Sequence, residues 1–461
     1  MLSPEIFKAY DVRGVVGRDL DDDAVLLLGR AIGSEARCRG HDRIVVGRDG
    51  RLSSPLLVPH LIEGLRAAGM GVIDIGRVTT PMAYFAAHHL ETACAVMLTG
   101  SHNPPEYNGL KIVMGNEALA GASIQALGER VRSAHFTTGC GGYENRDVFA
   151  GYLARIVRDV TLARPMRVVL DAGNGVAGAY GPDLFQALGC AVEPLHCQVD
   201  GRFPGHHPDP SVPANLAQLC GRVLAGGGEI GLAFDGDGDR LGVVDGTGRI
   251  IFPDRLLMLF ARDVLSRHPG ATVIYDVKST RNLDAWVEEL GGRPLLWKTG
   301  HSVIKAKMRD SGALLAGELS GHIFFKDRWY GFDDGLYAGA RLLEILSRAE
   351  DPQTLFASLP DSLSTPELRI DLAPGEAHAL LTAMGHHARF EGATRVRHID
   401  GLRVEYPEGF GLVRASNTTP SLSFRFEADD RNALIRLAEV TTAWLRSQRP
   451  DLPWGTLFEA L

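Results

Sequence analysis

Short runs of branched apolar residues, each closing on a Gly/Asp turn, recur through the first three quarters of the chain. They read RIVVGRDGR near residue 43, AVMLTGS near 95, RVVLDAGNG at 167, IGLAFDGDGDR at 230 and TVIYDVKST at 272. Each has the signature of a buried strand that opens into a polar loop. Helix-length segments lie between them, at 22–37, 54–68, 181–188 and 253–266. This alternation predicts α/β units with mostly parallel sheets, whose ligands sit on loops beyond the carboxyl ends of the strands. After residue 363 the pattern changes to alternating runs (RVRHIDGLRVEYP, FGLVRAS, SLSFRFEA) and one amphipathic helix at 431–446. There the expectation is a separate α+β domain with antiparallel strands.

A chain of 461 residues is too long for one ordinary core, which sets a prior of about three or four domains. Composition shifts near 140, 248 and 363 place the domains at 1–149, 150–248, 249–362 and 363–461. Apolar residues make up 45% and charged residues 23%, so the chain should fold compactly. The net charge of -8 and the lack of any basic run argue against nucleic acid as a partner. Six scattered cysteines without a C-x-x-C pair read as reduced thiols of a cytoplasmic protein. No signal peptide or bilayer-length apolar stretch is present, so no membrane association is expected.

Four loops carry candidate chemistry. Thr99–Pro104 (TGSHNP) follows an apolar strand and presents Ser101 on a tight turn, as a nucleophile or phosphate carrier, with Gly100 letting a ligand approach the backbone. The competing reading is a plain Ser/Asn/Pro turn. In Asp235–Arg240 (DGDGDR), Asp235, Asp237 and Asp239 alternate with glycines and can converge on one hard cation, Mg²⁺ by its oxygen-only donors. An EF-hand fails on its own template, because the sixth position is Arg240 and the twelfth Gly246. Gly317–His322 (GELSGH) offers Glu318 and Ser320 as readers of sugar hydroxyls. Arg414–Pro420 (RASNTTP) offers a guanidinium and several small donors to a phosphate dianion, or else forms a simple turn closed by proline.

The ordered set AYDVRG, TGSHNP, YNGLK, DGDGDR, DVKST, GHS-x-x-K, GELSGH and RASNTTP resembles the α-D-phosphohexomutase superfamily, in its phosphomannomutase/phosphoglucomutase branch, over essentially the whole chain. The resemblance implies three related α/β domains with mixed or parallel sheets and a smaller C-terminal α+β domain around a central cleft. It implies that Ser101 is the phosphoserine and that Asp235, Asp237 and Asp239 hold Mg²⁺ beside it. Glu318 and Ser320 would read the sugar's 3- and 4-hydroxyls. Arg414, Ser416, Asn417 and Thr418 would hold the phosphate that is not reacting, and Lys278 and His301 would help hold the ligand. Tyr10, Arg13, Lys111, Arg240 and His322 would surround the reacting centre, with Lys111 and His322 as candidate general base and acid.

The implied reaction is reversible transfer between C1 and C6 of mannose and glucose phosphates, with glucose or mannose 1,6-bisphosphate as activator and a monomeric enzyme. RASNTTP in place of R-x-S-G-T-E-P favours these sugars over glucosamine phosphate. Two other readings stay open at this level. One is a haloacid-dehalogenase-like phosphatase with Asp235 as nucleophile, Asp237 as acid/base and Asp333–Asp334 as a metal pair. The other is a sugar-phosphate sensor without turnover.

Overall fold

The computed structural model of the chain describes residues 2–226, 228–416 and 420–459. They fall into two compact units, Met1–Val264 with Gly300–Ser358, and Leu265–Thr299 with Leu359–Leu461.

In the first unit a seven-stranded sheet is built around the parallel strands Ala95–Leu98, Arg43–Arg48, Gly71–Arg77 and Tyr143–Asn145. Tyr107–Met114 runs antiparallel beside Ala95–Leu98, and Val12–Val15 antiparallel beside Tyr107–Met114. The helix Asp22–Cys38 starts at Asp21, whose carboxylate accepts from the Ala24 N–H at 2.8 Å. It packs on the helix Ser54–Ala67 so closely that a Cβ at Gly64 would lie 2.2 Å from the Leu26 carbonyl oxygen. Val25, Leu28, Ile32, Leu57, Leu61 and Leu65 fill that contact against Val96, Leu98, Leu110 and Ile112 of the sheet. A second, five-stranded sheet has Ile230–Phe234 parallel to Arg167–Asp171 and antiparallel to Leu241–Asp245. Leu315–Gly317 and Ile323–Phe325 form an antiparallel hairpin in the same unit.

The second unit contains the parallel pair Thr272–Asp276 and Arg293–Trp297, and a six-stranded antiparallel sheet. In that sheet Ser421–Ala428 pairs with Gly409–Ala415 and Leu368–Asp371, and its apolar face is covered by helices Glu376–His387 and Arg431–Gln448. Phe424, Phe426, Leu434, Leu437 and Met384 make the shared core.

The alternating strands and the change of style after 363 follow the sequence pattern, and the helices expected at 22–37, 54–68, 181–188, 253–266 and 431–446 differ from the observed ones by two residues or fewer at each end.

Candidate active site

The strand Arg43–Arg48 ends on Asp49, a buried carboxylate that organises the neighbouring turn. One of its oxygens accepts from the Thr99 hydroxyl at 2.8 Å and the Gly100 N–H at 3.1 Å. The other accepts from Ser54 Oγ at 2.7 Å. Thr99 Oγ1 in turn accepts from the Ser101 N–H at 2.8 Å. The outcome is a turn in which Ser101 has φ 49°, a left-handed conformation that costs a non-glycine residue on the order of 1–2 kcal/mol. Arg51, fully buried, and Arg13 hold the turn from the other side by donating to its carbonyl oxygens.

That turn aims Ser101 Oγ at Asp235 Oδ2, 2.9 Å away. The DGDGDR loop is curled tightly enough for Asp235 Oδ1 to accept from the backbone N–H groups of Asp239 at 3.1 Å and Arg240 at 3.2 Å. Asp235, Asp237 and Asp239 are wholly buried, and an oxygen from each lies within 4.8 Å of the others. Asp237 Oδ1 and Asp239 Oδ1 have no hydrogen-bond partner. A buried carboxylate oxygen without a donor is costly, and oxygen-only donors at this spacing fit a hard divalent cation. The cluster is capable of binding a metal.

Lys111 supplies the compensating charge from the protein itself. Its ammonium lies 2.7 Å from Asp237 Oδ2 and 2.5 Å from Asp239 Oδ2. Burial works against that charge, but Asp237 and Asp239 outweigh it and raise the Lys111 pKa well above the usual lysine value. Asp235 moves the other way from Asp237. Burial, with Asp237 and Asp239 as like charges, raises Asp235 well above the carboxylate range. For Asp237, Lys111 overcomes burial and lowers it. Thr80 Oγ1 also donates to Asp237 Oδ2, at 2.5 Å.

Arg240 donates from Nε to His322 Nε2 at 3.2 Å, which places the ring proton on Nδ1, 3.0 Å from Asp333 Oδ2. Asp333 is buried and accepts from Lys305 Nζ at 2.8 Å, with His301 Nδ1 3.6 Å away. Burial opposes its ionisation, yet Lys305 and His322 hold its carboxyl well below the usual range. The His301 ring stacks on His322 at 5.4 Å and meets Tyr10 edge-on at 6.2 Å. Burial and Lys305 keep His301 well below the ordinary histidine pKa, hence neutral. Glu318 is buried, and one carboxylate oxygen accepts from the Gly300 N–H, next to His301. Ser320, on the same loop, is half-buried.

The first unit thus brings together Tyr10, Arg13, Ser101, Lys111, Asp235, Asp237, Asp239, Arg240, His301, Glu318 and His322, which stand far apart in sequence. In the second unit Lys278 pairs with Glu367 at 3.2 Å, and Arg414 donates to Asp400 at 3.0 Å. The Ser416 N–H donates to the Ser421 carbonyl at 2.9 Å. Asn417 and Thr418 lie outside the described residues.

The role expected of Gly100 is corrected. A Cβ there would lie 2.3 Å from Arg51 Nε, so the glycine makes room for a buried guanidinium rather than for a ligand. Asp333 and Asp334 do not act as a paired set either. Asp334 caps the helix Gly335–Leu346 and accepts from Tyr152 OH at 2.8 Å, while Asp333 serves Lys305 and His322. Sequence reasoning had Lys305 only within the GHS-x-x-K motif and Asp333 only as half of a metal pair, and the residues it passed over are Asp49, Arg51 and Thr80. Another is His102, whose Nδ1 is 3.2 Å from Ser101 Oγ. For Asp49 the signal was present in GRDGR at the end of a strand, the position where α/β sites gather.

Four family models match in order. They are the phosphoglucomutase/phosphomannomutase α/β/α domains I (residues 4–137), II (150–248) and III (252–363), and the C-terminal domain (363–443). The chain belongs to the phosphoglucomutase/phosphomannomutase family. Among its relatives is a phosphomannomutase/phosphoglucomutase of Pseudomonas aeruginosa, 54% identical over 98% of both chains. A phosphoglucomutase of Neisseria meningitidis is also 54% identical, over 98% of this chain and 99% of that one. The crystal structure of a family protein from Burkholderia thailandensis superposes with a TM-score of 0.94 at 54% identity, covering 98% of this chain and 100% of the other. No described helix is long and apolar enough to cross a membrane.

Proposed function

We propose that this chain is a phosphohexomutase that moves a phosphoryl group reversibly between C1 and C6 of mannose and glucose phosphates, with Ser101 as the carrier. The observation that carries the reading is the 2.9 Å approach of Ser101 Oγ to a cluster of three buried carboxylates. Family membership supports the reaction class, and the names of the Pseudomonas and Neisseria relatives support both sugars.

In this reading Asp235, Asp237, Asp239 and the phosphorylated Ser101 hold Mg²⁺. When bound, the cation supplies charge neutralisation on the phosphoryl oxygens. The chain's own groups do the rest. Ser101 gives its phosphoryl to the free hydroxyl of a hexose 1- or 6-phosphate, yielding the 1,6-bisphosphate, and takes back the other phosphate after the intermediate has turned end over end. A bisphosphate of glucose or mannose acts as activator by recharging the serine. Lys111, whose ammonium stands beside Asp237 and Asp239, is suited to charge neutralisation at the reacting centre. His322, whose Nε2 is an acceptor, is suited to the base role. Arg13 and Arg240 frame the centre. Tyr10, His301, Glu318 and Ser320 face the sugar, whose 3- and 4-hydroxyls are alike in the two epimers. Lys278, Arg414 and Ser416, with Asn417 and Thr418, bind the phosphate that is not reacting.

We assign the domains to 1–149 (phosphoserine), 150–248 (metal), 249–362 (sugar) and 363–461 (phosphate), in a monomeric cytoplasmic enzyme. The test is a coupled assay with mannose 1-phosphate, glucose 1-phosphate and glucosamine 1-phosphate, together with intact-protein mass spectrometry. The expected result is turnover of the first two and phosphate on Ser101, with Ser101→Ala nearly inactive but still binding sugar phosphate. Full activity in Ser101→Ala refutes the assignment.

A further inference from the structure

Arg51 is one of the largest fully buried side chains among the described residues. The four carbonyl oxygens that its guanidinium donates to belong to one segment. Nη1 donates to the carbonyls of Pro104 at 2.6 Å and Tyr107 at 2.9 Å. Nη2 donates to the carbonyls of Ser101 at 2.8 Å and Asn103 at 2.5 Å, and Nε stands 3.2 Å from Asp49. A planar fork of this kind fixes four carbonyl oxygens in a way a single ammonium cannot. The surroundings are shaped to it. Gly100 leaves the space its guanidinium fills, and the Phe203 ring covers it at 5.3 Å.

Ser101 needs such a constraint. Its left-handed backbone is unfavourable, so without an external hold the turn would relax and swing Oγ away from Asp235. Asp49 and Thr99 bind the N–H side of the turn, and Arg51 binds the carbonyl side.

We propose that Arg51 is a positioning residue for phosphoryl transfer: its guanidinium fork locks the carbonyls of residues 101–107 and so fixes the direction of Ser101 Oγ without touching substrate. The inference rests on Ser101 being the phosphoryl carrier.

The experiment uses the full chain with Mg²⁺, glucose 1-phosphate and glucose 1,6-bisphosphate, and compares wild type with Arg51→Lys, Arg51→Met and Gly100→Ala. Misplacing a reacting atom by about an ångström costs about a hundredfold, so kcat should fall by about that factor in both Arg51 variants while KM stays within a few-fold. Gly100→Ala displaces the guanidinium without removing it and leaves no cavity, so it tests the same point should the Arg51 variants fold poorly. Its loss should not add to that of Arg51→Lys in the double variant. The ³¹P resonance of the phosphorylated enzyme, a readout independent of turnover, should be one narrow line in wild type and broadened or shifted in each variant.

Wild-type kcat in Arg51→Lys or Gly100→Ala with an unchanged ³¹P line overturns the proposal. Retention by Arg51→Lys but not Arg51→Met also overturns it, since charge rather than the fork would then be what matters. If Ser101→Ala remains active, the carrier reading fails. If Ser101→Ala is dead and the Arg51 and Gly100 variants are normal, only this inference fails.

Discussion

Adding one methyl group at Gly236 should cost this protein activity as well as stability. A Cβ on Gly236 would lie 2.3 Å from the Ser101 carbonyl oxygen and 3.1 Å from its carbonyl carbon, where ordinary contact begins near 3.4 Å. The obstacle is backbone, and that carbonyl is tied to Arg51, so it cannot rotate away as a flexible side chain would. The two loops must part by about 1 Å, and overpacking of this size costs about 1–3 kcal/mol of folding free energy. The same displacement falls on the 2.9 Å contact between Ser101 Oγ and Asp235, and so on the transfer distance. A loss of about a hundredfold in kcat is expected, worth about 2.7 kcal/mol in the barrier. Thermal unfolding of Gly236→Ala, followed with the coupled mutase assay at saturating bisphosphate, separates the two effects. A variant that loses a few degrees in Tm yet keeps kcat within about threefold of wild type would show that the serine and the carboxylates need not be held this closely.

Three further outcomes follow from the same geometry. Lys111→Met removes the cation between Asp237 and Asp239, so its Tm should fall sharply in chelator and recover on adding Mg²⁺. Breaking a buried pair costs about 3–5 kcal/mol, and a Tm indifferent to Mg²⁺ would contradict the metal assignment. Asp333→Asn should lower kcat by about 10²–10⁴ with little change in KM, and ¹⁵N spectra should show His322 losing its preference for a proton on Nδ1; an unaltered tautomer would remove Asp333 from the argument. Burial holds the Asp334 carboxyl at about 7, against 3.8 when exposed, so the folded state keeps a proton that the unfolded chain gives up. That contribution is complete below pH 4 and is lost as pH rises to about 7, at no more than about 1.4 kcal/mol per pH unit. Wild-type Tm should therefore decline relative to Asp334→Asn across that window, and parallel pH profiles would refute the reasoning.

What the chain reveals before folding follows from how local each determinant is. The strands that deliver Ser101 and Asp235 could be read because apolar runs and their terminal Gly/Asp turns are contiguous, and the carboxylate trio because its spacing lies within six residues. Arg51 could not be read, since its significance lies in carbonyls 50 to 56 residues away that no periodicity connects to it. Gly100 shows the same limit. Its presence was noticeable, but the atom it makes way for comes from another loop. Asp333 sits next to Asp334 in sequence and invites reading as a pair, yet backbone direction sends one to a lysine and a histidine and the other to a helix terminus and a buried tyrosine.

Lys111 reaches the acids because of parity along one strand. In Tyr107–Met114 the residues Leu110, Ile112 and Met114 point into the oil of the first core, while Lys111, opposite Met97, points the other way. Inserting or deleting a single residue anywhere between Ser101 and Lys111 that shifted this pairing would drive the ammonium into hydrocarbon and a leucine toward the carboxylates. This segment should therefore tolerate exchange of side chains on its apolar face far better than any change in its length.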